Sequence, residues 1–200
     1  MRILIVGGDG IVGRTAVAAL SPRHEIVKVG RKSGDVLADI TDMASVMAMF
    51  GKTGKVDAII SAAGHGHYGP LVDMTAANFL VGVNDKLMGQ VMLVLIGMHH
   101  VNDAGSITLT SGIADRDPVR GGANAAAVNG ALGAFVKAAA LEMPRSIRIN
   151  VVSPGVLDVA AAKYERVFPG HIPVSSHRVG QTYLKSVEGG MTGEVLIADG

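Results

Sequence analysis

Short apolar runs, each ended by glycine or by small polar residues, alternate along the chain with longer segments of helical character. The runs lie at residues 2–6, 24–29, 36–38, 56–61, 106–110, 147–152 and 194–198. Most are apolar at nearly every position, as strands are when a parallel sheet is buried on both faces. The pattern therefore predicts about seven mainly parallel strands.

The segments between these runs predict helices. They span residues 10–20, 41–50, 75–100 and 122–143, and two short helices are expected between residues 155 and 194. Thr41 or Asp42 can cap the second helix, and Gly82 and Gly89 predict a break in the third. Strands that alternate with helices form a doubly wound, Rossmann-like α/β fold with helices on both faces of the sheet. Composition does not shift along the chain and no repeat is seen, so we expect one domain over residues 1–200.

The composition narrows the classes of protein that fit. Apolar residues make up 48% of the chain and charged residues 18%, which leaves enough apolar surface for a sizeable core. Lys plus Arg number 18 and Asp plus Glu 17, so there is no basic excess for binding nucleic acid. The absence of Cys excludes disulfides, thiolate metal sites and a cysteine nucleophile. The longest apolar run, 91–96, is shorter than a membrane span and no signal peptide is seen, so we expect a cytoplasmic protein.

A glycine-rich turn follows the first predicted strand. Its sequence, Gly7-Gly8-Asp9-Gly10-Ile11-Val12-Gly13, fits GxGxxG from Gly8 and GxxGxxG from Gly7. Glycine lets a pyrophosphate approach the backbone, and the next helix offers its N-terminal N–H groups and the positive end of its dipole. The position at the first strand-to-helix junction predicts a dinucleotide site. A glycine-rich turn that holds no ligand is the alternative.

The end of the second strand predicts which dinucleotide binds. An NAD site usually has Asp or Glu here, whereas this chain has Gly30 followed by Arg31, Lys32 and Ser33. Arg31 and Ser33 can hold a 2′-phosphate, which favours NADP(H). Asp9 is an unfavourable neighbour for that phosphate unless its carboxylate points away. A solvated basic turn is the alternative.

Further motifs follow the glycine turn in order along the chain. They are Asp39-Ile40, Ser61-Ala62-Ala63-Gly64, Leu109-Thr110-Ser111, Arg148-Ile149-Asn150-Val151-Val152-Ser153-Pro154-Gly155 and Thr192-Gly193-Glu194. Together with Gly7, Gly10 and Gly13, their order and spacing resemble the short-chain dehydrogenase/reductase family over nearly the whole chain.

The resemblance implies hydride transfer between NAD(P)H and a carbonyl or alcohol. With the residues above, it implies a cofactor site formed by Gly7, Gly10, Ile11, Val12, Gly13, Arg31, Ser33, Asp39, Ile40, Ala62, Ala63, Gly64, Asn129, Pro154 and Gly155. In the family the Pro-Gly turn lies beside the nicotinamide, and Asn, Ser, Tyr and Lys carry the catalysis. The Tyr transfers the proton, and the Lys holds the ribose and lowers the Tyr pKa.

Three of those four catalytic positions depart from the family pattern. Ala125 stands at the Tyr position and Asn129 at the Lys position, and no Tyr lies between residues 111 and 143. Lys86 stands at the position of the helix Asn, although a shift of two residues would put Asn84 there. Only Ser111 is retained.

Other residues can take over parts of the missing chemistry. The Lys86 ammonium can replace the missing charge near the ribose or the substrate oxygen, or it can be a solvated or salt-bridged helix lysine. Tyr68, His65 and His67 follow the fourth strand and can supply a proton, or they can form a polar loop over the pocket. The predicted catalytic set is Ser111, Tyr68 and Lys86, and no metal site is predicted.

Two functions fit these observations better than a structural domain without a ligand. The first is an NADP(H)-dependent oxidoreductase that acts on a small carbonyl or alcohol with atypical catalytic residues. The second, favoured by the missing Tyr and Lys, is a non-catalytic NADP(H)-binding sensor or interaction protein. The helices around 87–98 and 131–141 are too apolar to face water on all sides, and in relatives the matching helices pair across dimers. The resemblance therefore implies a homodimer or homotetramer, with no nucleic-acid or membrane partner expected.

Overall fold

Seven strands form a single parallel sheet. The computed structural model describes all residues, Met1–Gly200. The strands are β1 (Arg2–Val6), β2 (Glu25–Gly30), β3 (Val36–Leu37), β4 (Val56–Ser61), β5 (Val101–Thr110), β6 (Arg148–Pro154) and β7 (Val195–Ala198). They pair in the order β3-β2-β1-β4-β5-β6-β7, and every neighbouring pair is parallel. This arrangement confirms the predicted doubly wound, Rossmann-like α/β fold.

The connections between the strands contain six helices. They are α1 (Ile11–Leu20), α2 (Met43–Thr53), α3 (Ala76–Gly97), α4 (Ala123–Ala139), α5 (Ala161–Tyr164) and α6 (Ser176–Glu188). Asp42, one of the two predicted caps, accepts a hydrogen bond from the backbone N–H of Ala44 at the start of α2. Most boundaries lie within a few residues of the prediction, but β5 begins at Val101 rather than at residue 106.

The core lies on both faces of the sheet. Along β1, Leu4 points to one face, where it belongs to a cluster with Phe50 of α2 and Leu93 of α3. Its neighbour Ile5 points to the other face and belongs to a second cluster that contains Tyr183 of α6. All five side chains are almost completely buried, and each large apolar side chain buried in this way contributes about 1.5–3 kcal/mol. Burial on both faces explains why most strands are apolar at nearly every position.

The break predicted at Gly82 and Gly89 is confirmed only in part, because the α-helical pattern is interrupted between these two glycines but the helix does not end. The chain stays helical from Ala76 to Gly97, with a π-helical segment, Val83–Met88, between two α-helical parts. The two glycines serve close packing instead of ending the helix. A Cβ on Gly82 would lie 2.1 Å from Oδ1 of Asn124, and one on Gly89 would lie 2.7 Å from the Ile40 side chain.

By length and composition alone, α3 could cross a membrane. It has 22 residues, a mean hydropathy of 1.5 over its most apolar window, and 28% of that window is buried. In this fold, however, α3 is fixed to the sheet by the fully buried Gln90. The amide Nε2 of Gln90 donates to the carbonyl of Thr110 at 2.9 Å, and its Oε1 accepts from the Thr110 N–H at 2.9 Å. The helix therefore forms one layer of the α/β fold.

The sheet order reverses direction between β1 and β4. In open parallel sheets, the crevice at the carboxyl ends of the strands beside such a reversal is the usual ligand site. The glycine turn after β1 and the loop after β4 both lie at this crevice, as do the strand ends at Ser111 and Pro154. The fold thus brings the predicted motifs to one edge of the sheet.

Candidate active site

The glycine turn after β1 is held against α1 and the end of β4. Gly7 has φ of +81°, and a Cβ there would lie 2.6 Å from the carbonyl oxygen of Ala62. A Cβ on Gly13 would lie only 2.0 Å from the carbonyl oxygen of Gly7. Gly10 caps α1 without a side chain, which leaves the first N–H groups of the helix uncovered. Side chains at Gly7 and Gly13 would push these backbone segments apart, so glycine keeps the turn tight and its N–H groups available for an anion such as a pyrophosphate.

A groove of about 200 Å³ continues from this turn along the ends of β2 and β3. Its walls include eight of the residues predicted to bind a cofactor, which are Gly7, Gly10, Arg31, Asp39, Ile40, Ala62, Ala63 and Gly64. His65 and Asp85, which were not predicted to bind the cofactor, face each other at its rim, with Nδ1 of His65 3.3 Å from Oδ2 of Asp85. The structure therefore brings most of the predicted cofactor residues into one continuous surface.

The charge of Asp9 is balanced by two neighbours. Its carboxylate accepts hydrogen bonds from the Ser33 hydroxyl at 2.7 Å and from Nζ of Lys28 at 3.0 Å. The Ser33 bond and then the Lys28 bond hold the pKa of Asp9 below its usual range. Ser33 is thus engaged with Asp9, and Arg31 is the predicted phosphate ligand that stays exposed beside the groove. Sequence reasoning missed Lys28, because it lies within β2 rather than in the basic turn.

A second cavity, of about 250 Å³, lies on the other side of the glycine turn. It is lined by all three predicted catalytic residues, Ser111, Tyr68 and Lys86, and by the predicted cofactor residues Ile11, Val12, Asn129, Pro154 and Gly155. Tyr164 and Phe168 complete the wall. These two aromatic residues come from a stretch without a recognisable motif, so nothing in the sequence marked them.

Ser111 lines this cavity, and its hydroxyl is buried and unpaired. The residue is 4% exposed, and its Oγ has no hydrogen-bond partner in the protein. Its backbone is fixed at the end of β5, where its N–H donates to the carbonyl of Val152 at 2.9 Å. A buried hydroxyl without a partner costs free energy, so its position is explained best by a ligand that completes the hydrogen bond.

Lys86 reaches into the same cavity from the π-helical segment of α3. Its Nζ donates to the carbonyl oxygen of Ser111 at 2.8 Å and to Oδ1 of Asn129 at 2.7 Å. Asn129 is held in turn by its Nδ2, which donates to the carbonyl of Gly112 at 3.2 Å. Burial lowers the pKa of Lys86 to about 8, against the opposing pull of the Asp115 carboxylate. The expectation of a solvated or salt-bridged helix lysine is therefore wrong.

Comparison with known proteins identifies the family of this chain. A short-chain dehydrogenase family model, described as Enoyl-(Acyl carrier protein) reductase, matches residues 16–200. The chain belongs to the short-chain dehydrogenase/reductase family.

Several relatives resemble the chain over nearly its whole length. The crystal structure of the protein lin1944 from Listeria innocua is 46% identical, with a TM-score of 0.97 and 98% of both chains covered. A small-chain dehydrogenase crystallised in complex with NADPH is 29% identical, with a TM-score of 0.87, covering 100% of this chain and 96% of that one. The 3-oxoacyl-[acyl-carrier-protein] reductase of Rattus norvegicus is 27% identical over 209 residues, which cover 100% of this chain and 86% of the rat protein. These relatives place the chain among oxidoreductases and support a nicotinamide cofactor.

In this short-chain dehydrogenase/reductase, the loop of residues 64–69 lies over Ala125, the helix residue predicted from the sequence to occupy the family's Tyr position. A Cβ on Gly66 would lie 3.2 Å from the Cβ of Ala125, so the loop backbone lies directly against that side chain. The fully buried Asn124 holds the loop, because its Oδ1 accepts from the His67 N–H at 2.8 Å and its Nδ2 donates to the Phe79 carbonyl at 2.6 Å. Tyr68 lies at the cavity mouth, 48% exposed, and partial burial raises its pKa. No group of three His, Cys, Asp or Glu side chains is close enough to hold a metal ion.

The Pro154–Gly155 turn is held by a residue that sequence reasoning missed. Arg116, in the loop after β5, donates to the Ser153 hydroxyl and contacts Oδ1 of Asp199 at 2.5 Å. The Gly155 N–H also donates to the Ala198 carbonyl at 2.8 Å. Arg116 lies outside every family motif and its partners are distant in sequence, so no local pattern marked it.

Proposed function

We propose that this chain is an NADP(H)-dependent reductase that acts on a small carbonyl compound. The observation that carries this proposal is the unpaired, buried hydroxyl of Ser111 in a cavity that also contains Lys86 and the Pro154–Gly155 turn. A carbonyl oxygen of a substrate is a suitable acceptor for this hydroxyl.

The residues present fit a dinucleotide along the crevice. The N–H groups at the start of α1 would hold the pyrophosphate, Asp39 and Ile40 would contact the adenosine half, and Pro154 would lie beside the nicotinamide. The bound cofactor would supply the hydride. The tight glycine turn supports this placement, because Gly10 leaves the first N–H groups of α1 without a side-chain cap.

Preference for NADP(H) over NAD(H) is part of the proposal. Gly30 leaves no carboxylate at the end of β2, and the exposed guanidinium of Arg31 can bind a 2′-phosphate. The Asp9 carboxylate, which would oppose a phosphate, is engaged with Lys28 and Ser33. The relative solved with NADPH supports this preference.

The cavity wall supports an uncharged carbonyl substrate. Apart from Lys86 and two tyrosines, the residues opposite the Pro-Gly turn are mainly apolar, and they include Ile113, Leu157, Ala160 and Phe168. A 3-oxoacyl compound, the substrate type in the name of the rat relative, fits such a wall. The test is NADPH oxidation with ethyl acetoacetate and with the reactive ketone isatin. Turnover of either compound supports the proposal, and NADPH binding with no turnover of any carbonyl contradicts it.

A non-catalytic NADP(H)-binding protein is the second candidate. Ala125 and Asn129 at the Tyr and Lys positions favour it, because the family's proton donor is missing. Calorimetric binding of NADPH, combined with the absence of turnover, would support this candidate over the reductase.

We also propose a homo-oligomer, as the family resemblance implies. Leu80, Val81, Met88 and Leu95 of α3 are large apolar residues that are 43–52% exposed in the single chain. Light scattering coupled to gel filtration tests this, and a mass of one chain, 20.5 kDa, would contradict it.

A further inference from the structure

Two unusual local features of the backbone position the Lys86 ammonium in the cavity. The π-helical segment Val83–Met88 widens α3 where it passes the crevice, and such segments are frequent at functional sites. Gly64, with φ of +102°, allows the helix to approach, because a Cβ there would lie 2.6 Å from the Lys86 Cα. The aliphatic part of the Lys86 side chain therefore runs inward along the loop after β4, and its ammonium lies near the end of β5.

Two of the three ammonium donors have fixed acceptors. One is the Ser111 carbonyl at 2.8 Å and the other is Oδ1 of Asn129 at 2.7 Å. An ammonium has three donors, so one remains for a ligand. The unpaired Ser111 hydroxyl lines the same cavity. A carbonyl oxygen between them would accept one hydrogen bond from each group.

We propose that Lys86 is the proton donor to the substrate oxygen, and that Asn129 is the positioning residue that holds its ammonium. This inference rests on the proposed function. When the carbonyl carbon accepts a hydride from the reduced nicotinamide, the π electrons of C=O move to oxygen. The oxygen then takes a proton from Nζ of Lys86. The products are an alcohol, the oxidised cofactor and a neutral lysine amine, which regains its proton from solvent.

The other groups around the cavity serve this role less well. Tyr68 is 48% exposed, and its pKa is raised, away from neutral pH. Its hydroxyl makes no hydrogen bond to a cation that would favour its ionised form. Lys86, in contrast, has a pKa of about 8, close to the value at which a general acid is effective near neutral pH.

The charged and titratable groups around the cavity of Lys86 come from four elements, one of which is α5 with Tyr164. Asp115 lies in the loop after β5 and is paired with Arg116, while His65 and Tyr68 lie in the loop after β4. Asp85 is the neighbour on α3 itself and contacts His65. Helix α4 contributes only the neutral Asn129. A pH dependence near 8 is therefore expected from Lys86.

The experiment compares Lys86→Met with Lys137→Met, which removes an exposed lysine of α4 and serves as the control. Reduction of isatin is measured at saturating NADPH over a range of pH, and the affinity for NADPH is measured by fluorescence. Wild-type kcat is expected to fall as pH rises through about 8, because the ammonium loses its proton. Lys86→Met should lower kcat by about 10²–10⁴-fold and lose this pH dependence, whereas Lys137→Met should behave as wild type.

Two further variants separate proton donation from charge and from folding. Lys86→Arg keeps a positive charge that does not release its proton, so it should remain as slow as Lys86→Met. Asn129→Leu removes an acceptor that stabilises the ammonium, so the fall in kcat should move to lower pH. If Lys86→Met fails to fold, the wild-type pH profile and Asn129→Leu still decide the question.

Three results would overturn the inference. One is wild-type turnover that is retained in Lys86→Met or largely restored in Lys86→Arg. Another is a loss confined to NADPH affinity, with kcat unchanged, which would make Lys86 a ribose ligand. The third is a wild-type kcat that does not change with pH around 8. Failure of the proposed function itself looks different, because the wild type would then bind NADPH and reduce no carbonyl.

Discussion

Replacing Gly13 with alanine should destabilise the fold and weaken cofactor binding, although alanine is the better helix former. In a helix interior the change gains about 0.8–1.0 kcal/mol of helix propensity. At Gly13, however, the new Cβ would lie 2.0 Å from the Gly7 carbonyl oxygen and 2.9 Å from the Gly8 Cα. Relief requires movement of backbone, and overpacking of this kind costs about 1–3 kcal/mol or more. We therefore expect a net loss of up to about 2 kcal/mol of unfolding free energy.

The same movement would open the turn that is proposed to hold the pyrophosphate. A loss of about 1.4 kcal/mol of binding free energy corresponds to tenfold weaker NADPH binding, and we expect at least this change. Gly130→Ala in α4 is the matched control, because no heavy atom lies within 4 Å of the added Cβ. It should gain stability and bind NADPH normally. Urea unfolding and calorimetric titration test both variants. If Gly13→Ala is as stable as Gly130→Ala and binds NADPH as well as wild type, the steric argument is wrong.

Three other outcomes are expected. Arg31→Ala should weaken NADPH binding by about 1–3 kcal/mol and leave NADH binding unchanged, and equal affinities for the two cofactors in wild type would contradict this. Ser111→Ala should lower kcat with little change in NADPH affinity, because its hydroxyl is unpaired in the substrate cavity; unchanged turnover would exclude a role for that hydroxyl. Wild type should gain stability relative to Lys86→Met as pH rises from about 8 towards 10.5. In this pH range the Lys86 side chain holds its proton more fully in the unfolded chain than in the folded protein, so a rise in pH favours folding. Urea midpoints of the two proteins that differ by a constant amount at every pH would contradict this prediction.

The parts of the fold that could be predicted are those encoded by local patterns. Runs that are apolar at nearly every position predicted strands buried on both faces, and the glycine spacing after β1 predicted a tight turn that has no room for Cβ atoms. The carboxyl ends of parallel strands meet at one edge of the sheet, so strand-end residues such as Ser111 and Pro154 could be placed near each other from the sequence alone.

The parts that could not be predicted depend on contacts between distant residues. Lys86 and Asn129 are 43 positions apart, and Arg116 and Asp199 are 83 positions apart. No periodicity in either segment indicates such a partner. The glycines at 82 and 89 do bound a change from α- to π-helical structure, as their positions suggested. Their close contacts with Asn124 and Ile40, which lie elsewhere in the sequence, could not be predicted for the same reason.

The hydrogen bond between Lys86 and Asn129 also determines the effect expected when the Tyr and Lys of the family pattern are introduced at residues 125 and 129. The change Ala125→Tyr would collide with the loop at Gly66, whose added Cβ would lie 3.2 Å from Ala125. The change Asn129→Lys would bring a second ammonium close to Nζ of Lys86, which is now 2.7 Å from Oδ1 of Asn129. Two like charges about 4 Å apart repel by about 1 kcal/mol in water and about 4 kcal/mol at an effective dielectric constant of 20.

Asn129→Lys alone should therefore lower the unfolding free energy by roughly 1–4 kcal/mol. Adding Lys86→Asn should recover most of this loss, because the pair then again contains one ammonium and one amide. Urea unfolding of wild type, both single variants and the double variant measures the coupling directly, and we expect at least about 1 kcal/mol. Additive effects would mean that the two side chains do not depend on each other. A strong coupling would show that residues 86 and 129 are matched as one ammonium and one amide, so that a lysine at residue 129 is tolerated only when Lys86 is replaced.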